Sequence, residues 1–124
     1  MKLRYLLVLL LFLPALVSAE TIDRSDLVKR DGLSYKDFTN VPFTGRTRGQ
    51  FQGTYKDGTQ HGPYESYHEN GQLWMKTTYK DGKKHGPTEW YYKNGQLWKK
   101  GTYNDGELVN QTCFTETGET KPCK

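Results

Sequence analysis

Only a few side chains in this 124-residue chain could do chemistry: three histidines, several carboxylates beside glycine, three serines beyond residue 20 and two cysteines near the end. His61 and His85 occupy equivalent His-Gly-Pro triplets, twenty-four residues apart. If two strands separate them, they lie roughly 10 Å apart at ~4.8 Å per strand, too far to share one metal ion. They are therefore read as turn residues bonded locally, and no metal site is expected. His68 aligns with Tyr92 one copy later, so that position does not require an imidazole. Asp57, Asp81 and Asp105 each precede a glycine, which is turn chemistry before it is acid–base chemistry. Ser25, Ser34 and Ser66 lack the G-x-S-x-G context of an activated nucleophile. No catalytic residue and no cofactor is expected. What remains is aromatic: Tyr67, Trp74, Tyr91 and Trp98 recur at a fixed interval. Such a ladder is either a stripe that stacks on sugar rings or anchors a partner protein, or cross-strand packing that holds the fold together.

Those residues must be placed by a small domain. Residues 1–19 read as a secretion signal: Lys2 and Arg4 precede an uncharged run from Tyr5 to Leu13, Pro14 breaks it, and Val17-Ser18-Ala19 supplies the small-residue cleavage pattern. Cleavage after Ala19 predicts a periplasmic or secreted product. Without Lys2 and Arg4 the net charge falls from +4 to +2, with both signs interspersed, which argues against a nucleic-acid partner. In an oxidising compartment, Cys113 and Cys123 are expected to pair and close a short C-terminal loop. Asn110-Gln111-Thr112 matches an N-glycosylation acceptor, relevant only in a eukaryotic host. Beyond Glu20 the aliphatic supply is thin, so any core must be largely aromatic. Thirteen glycines with abundant Tyr and Thr favour strands and tight turns.

Residues 55–78 and 79–102 are two copies of one unit, identical at sixteen of twenty-four positions. A third copy opens at Tyr103-Asn104-Asp105-Gly106-Glu107 and then stops, and Gly53 to Gly58 closes a degenerate copy upstream. A fixed period of this kind signals stacked units that bury their faces on one another. Asn70-Gly71 and Asn94-Gly95 predict type I′ hairpin turns. The strands then run about Tyr64 to Glu69 with Gln72 to Tyr79, and Thr88 to Lys93 with Gln96 to Tyr103. Asp-Gly and His-Gly-Pro carry the chain from one hairpin to the next. This register sets Tyr67 opposite Trp74, Tyr91 opposite Trp98, Glu65 opposite Lys76 and Glu89 opposite Lys100. The other face carries His68, Leu73, Met75, Tyr79, Trp90, Tyr92, Leu97 and Tyr103 and is the better core candidate.

The recurring Tyr-Lys-Asp-Gly, His-Gly-Pro and Tyr-x-x-Asn-Gly-Gln-Leu pattern resembles the variant MORN repeat of bacterial YwqK-type proteins, often labelled antitoxins. Leu33 to Gly45, especially Val41-Pro42-Phe43-Thr44-Gly45, resembles the lead-in such proteins carry, so the likeness covers roughly residues 27–107. It implies an elongated meander of hairpins used for protein or lipid contact, without catalysis.

The resulting expectation is an all-β protein: an open antiparallel meander of repeated hairpins forming one small domain. Its parts are a signal at 1–19, a lead-in with a degenerate repeat at 20–52, hairpin repeats at 53–107 and a disulfide-closed tail at 108–124. The function expected is secreted, non-catalytic protein–protein interaction, antitoxin-like in character; the alternative is recognition of a cell-envelope glycan or lipid head group by the aromatic face. An open meander leaves edge strands, so edge-to-edge self-association, or coverage by the lead-in and the tail, is also expected.

Overall fold

The computed structural model describes residues 20–124; the predicted signal peptide lies outside the described residues. The strands are β1 (Glu20–Asp23), β2 (Leu27–Arg30), β3 (Leu33–Lys36), β4 (Gly45–Arg48), β5 (Phe51–Lys56), β6 (Thr59–Tyr67), β7 (Leu73–Lys80), β8 (Lys83–Lys84), β9 (Gly86–Tyr91), β10 (Leu97–Asn104), β11 (Glu107–Phe114) and β12 (Thr120–Lys121). A 3₁₀ turn at Arg24–Asp26 is the one helical element among the described residues. One open sheet runs β1-β4-β5-β6-β7-β9-β10-β11-β12, with β8 paired to β7; β2 and β3 form a separate hairpin. All pairings are antiparallel except β1 with β4. The fold is the all-β hairpin meander that the repeat implies.

The two kinds of chain reversal exchange the roles expected of them. The type I′ signature, positive φ at both central residues, falls on Asp31-Gly32, Asp57-Gly58, Asp81-Gly82 and Asp105-Gly106, with φ of 48–50° at Asp and 81–88° at Gly. These two-residue turns join the pairs Arg30↔Leu33, Lys56↔Thr59, Lys80↔Lys83 and Asn104↔Glu107. Asn70-Gly71 and Asn94-Gly95 also lie at reversals, but only their glycines take positive φ. The loop is longer: His68 N–H donates to Gln72 O at 2.8 Å, and Gly71 N–H to His68 O at 3.0 Å. His-Gly-Pro is likewise no connecting turn. His61-Gly62-Pro63 lies within β6, and Gly86-Pro87 opens β9, at irregularities in the ladder.

The unit geometry recurs in the C-terminal segment, beyond the point where the sequence repeat fades. Thr115 N–H donates to Glu119 O and Gly118 N–H to Thr115 O, repeating the His68–Gln72 and Tyr92–Gln96 loops. Cys113 pairs with Lys99, as Trp90 does from the other side, and the expected Cys113–Cys123 disulfide is present. The β2–β3 hairpin docks on the first full unit through Ser34 N–H to Gly58 O, and Gly58 N–H donates to Phe43 O in the segment between β3 and β4, both at 2.8 Å. At the start of β4 a side chain is forbidden. A Cβ on Gly45 would lie 2.3 Å from Glu20 O and 2.7 Å from the Phe43 ring, so the parallel pairing of β1 with β4 begins where only glycine fits.

The core follows from the register. Gln52, Glu65, Lys76, Glu89, Lys100 and Thr112 form one cross-strand row, so the next row, Phe51, Ser66, Met75, Trp90, Lys99 and Cys113, faces the other way. Tyr64, Met75 and Trp90 are buried on that inner face, with Phe51, Tyr79 and Tyr103 packed against them; Ile22, Phe43 and Tyr55 form a second cluster with Leu27. Met75, Tyr79, Trp90 and Tyr103 thus fill the core face assigned to them. His68, Tyr92, Leu73 and Leu97 stand outside both clusters, and Tyr64 is a core residue that the face assignment missed. Two inner-face polar sites differ sharply. The Thr77 and Thr88 hydroxyls bond to each other at 2.6 Å, whereas the Ser66 hydroxyl is fully buried without a partner. Thr88→Val should therefore orphan the Thr77 hydroxyl and cost about 1–3 kcal/mol, with part of the loss recovered in the Thr77→Val/Thr88→Val double variant. Ser66→Ala should be neutral or stabilising. Urea denaturation of the four proteins checks all three signs.

Candidate functional site

The exposed aromatics are placed by the Asn-Gly loops. Asn70 Oδ1 accepts from Gln72 N–H at 3.0 Å and Asn94 Oδ1 from Gln96 N–H at 2.9 Å. Their amides reach across to the next unit: Asn70 Nδ2 donates to Lys93 O at 2.8 Å, and Asn94 Nδ2 to Glu116 O at 3.2 Å. The asparagine oxygen thus supplies the turn bond that a left-handed backbone would otherwise have to make room for. After each loop the ladder holds one extra residue. Tyr67 pairs with Leu73 while Ser66 pairs with Met75, and Tyr91 pairs with Leu97 while Trp90 pairs with Lys99. Trp74 and Trp98 are the bulged residues. The expected Tyr67–Trp74 and Tyr91–Trp98 pairs are therefore absent, because a bulge shifts the register by one beyond a two-residue turn's prediction. Glu65↔Lys76 and Glu89↔Lys100, on the far side of the bulge, form as expected.

The four predicted binding residues divide into two kinds. Trp74 and Trp98 are 39% and 36% exposed. Their rings lie against His68 and Tyr92, with centroids 6.2 and 6.1 Å apart. Tyr67 and Tyr91 are half-buried, and their phenols donate to Glu65 and Glu89. These bonds raise the Tyr67 pKa above the ordinary phenol range, chiefly through the Glu65 hydrogen bond. Tyr91 is pushed up to about 12, first by burial and then by the bond to Glu89 and its charge. Tyr67 and Trp74 still line one open hollow of about 420 Å³ with Gln50, His68, Asn70 and Lys93.

Several polar residues join one unit to the next, and the sequence reading missed this role. His68 Nε2 lies 2.8 Å from Tyr91 O, and Tyr92 donates its hydroxyl to Phe114 O at 2.7 Å. The two side chains differ but place a polar tip at the same spot, a signal present in the His68/Tyr92 alignment. His61 and His85 are not bonded locally. Each accepts at Nδ1, at 3.3 Å, the N–H of Asp81 or Asp105 in the following Asp-Gly turn. The Asp81 and Asp105 carboxylates lie 3.7 and 3.5 Å from the same ring nitrogens. On the inner face the Lys99 ammonium lies 4.1 Å from the Trp90 ring centre, and the Lys84 ammonium lies 5.1 Å from that of Tyr103. Burial, aided by the charge of Lys99, lowers the Lys84 pKa. Ser66 is fully buried. Among the described residues no group of three or more His, Cys, Asp or Glu is placed to hold a metal ion.

The unit now has a defined geometry: an irregular strand after Asp-Gly, an Asn-Gly loop, a bulged tryptophan and a return strand to the next Asp-Gly. Residues 60–81 and 84–105 match the family model of the MORN repeat variant. Each matched MORN segment begins just after one Asp-Gly turn and ends at the aspartate of the next, so the match coincides with the structural unit. Both MORN segments contain the tyrosine–glutamate pair and the exposed tryptophan. No curated protein matches the chain at a significant level.

The tyrosine–glutamate bond has a pH signature. A raised phenol pKa stabilises the fold fully below the ordinary phenol value, near pH 10, and that contribution is lost as pH rises toward 12. Glu89→Gln removes the carboxylate charge, so ultraviolet tyrosinate titration should show Tyr91 ionising at lower pH than in the parent protein. The Glu89→Gln melting temperature should also fall less steeply between pH 10 and 12.

Proposed function

We propose that this protein is a secreted, non-catalytic interaction module that grips a protein partner through Trp74 and Trp98, in the manner of an antitoxin holding its target. The observation that carries the reading is the repeated bulge. It sets the same indole, more than a third exposed, at the same place in two successive units. A large aromatic kept out of a core that is short of apolar side chains suits an anchor for another surface. MORN repeats are in general associated with protein- and membrane-binding modules, which supports the same class. The Cys113–Cys123 disulfide supports an oxidising compartment.

A second reading rests on spacing. One strand, β9, lies between the two that carry the indoles, so two strand spacings, roughly 10 Å, separate them, and coplanar sugar rings of an envelope glycan could stack on them in turn. The two readings part in one set of measurements. With a protein partner, Trp74→Ala and Trp98→Ala should each weaken co-purification from the secreted or periplasmic fraction by at least tenfold, the loss of an interface hot spot. Titration of the parent protein with peptidoglycan fragments or anionic vesicles should leave its tryptophan fluorescence flat. Saturable quenching by either titrant, abolished by the same substitutions, would replace the protein-partner reading with the glycan or lipid one.

A further inference from the structure

Along the path β4-β5-β6-β7-β9-β10 every strand has a neighbour on each side, and the stacking then ends unevenly at β11. One side of β11 pairs with β10 along Lys99 to Asn104. On the other side β12 reaches only Cys113 and Phe114. The disulfide-bonded tail thus covers two residues of the expected edge, and Glu107 to Thr112 keep outward backbone donors and acceptors unpaired in the sheet. Sheet edges are usually protected by lysine, proline, a very short strand or a bulge. This stretch has the last of these, at Val109, where the register shifts. It has no lysine or proline, and its one charge is Glu107 at the end. Leu108 and Val109 are 38% and 57% exposed on it.

The pattern is self-complementary. If two β11 strands meet antiparallel about a two-fold axis, their Glu107 side chains fall at opposite ends, and the uncovered residues between them, Leu108 to Thr112, are uncharged. Against the other edge, β1, the same strand would meet the carboxylates Glu20 and Asp23 in a four-residue segment, a poorer fit. We propose that β11 is the interface of a symmetric dimer in which the edges of two copies pair antiparallel and carry one sheet across the axis. The glycosylation-acceptor triplet Asn110-Gln111-Thr112 lies on this edge, and a glycan attached at Asn110 would obstruct the pairing. The proposal uses a different part of the molecule from Trp74 and Trp98 and does not depend on their role.

Sedimentation velocity over a wide protein concentration range, read together with amide hydrogen exchange, tests it. A concentration-dependent dimer is expected, with the 107–112 amides gaining protection as it forms. Val109→Lys should weaken dimerisation at least tenfold by setting like charges near the axis, while Trp74→Ala dimerises as the parent does. Asn110→Lys serves as the second edge variant should Val109→Lys show a changed circular dichroism spectrum. A protein that stays monomeric throughout, a dimer protected elsewhere, or lysine variants that fold and dimerise undiminished would each overturn the proposal.

Discussion

Cross-strand register is the constraint on which this molecule depends. A single-layer sheet has no second layer to fill its core, so the buried side must be assembled from one row of side chains per strand, contributed by successive units. Strand side chains alternate faces, and a slip of one residue would send Tyr64, Met75 and Trp90 to solvent and bring Glu65, Lys76 and Glu89 inside. Opposite charges alternate along Glu65, Lys76, Glu89 and Lys100, which favours the observed alignment on the outer face. Aromatic burial favours it on the inner face.

Much of the polar chemistry serves that register. Asp-Gly turns close the pairs tightly, His61 and His85 tie each turn to the next, and Asn70 and Asn94 do the same at the opposite end of the strands. Side chains that looked like candidates for proton transfer or metal binding are spent as donors and acceptors between units. The arrangement leaves the indoles of Trp74 and Trp98 outward, because a bulged residue has no partner across the ladder to pack against.

The ends of the array are where repetition stops supplying partners. At the N-terminal end the β2–β3 hairpin and the parallel β1 strand cover Tyr55 and Phe43. At the C-terminal end the inner row passes from Met75 and Trp90 to Lys99 and Cys113. The Lys99 and Lys84 ammonium groups lie over the Trp90 and Tyr103 rings, and a disulfide takes the place of the next aromatic layer. A repeat array needs such altered terminal units, since an unmodified one would expose its stacking face.

The sequence by itself determined what depends on short-range pattern: the all-β class, the period of twenty-four, the chain reversals at Asn-Gly and Asp-Gly, the Glu–Lys pairing and the cysteine bridge. The class, the reversals and the pairing follow from local backbone preference and the two-residue alternation of a strand, the period from the likeness of the copies, and the bridge from the presence of two cysteines. Tertiary structure alone decided which of the two turn types took the left-handed conformation, where the bulges fell, and so which aromatics were exposed. Those outcomes rest on bonds between units, such as Asn70 to Lys93 and His68 to Tyr91, that join residues more than twenty positions apart. No local propensity encodes them; they exist only once one hairpin has been laid against the next.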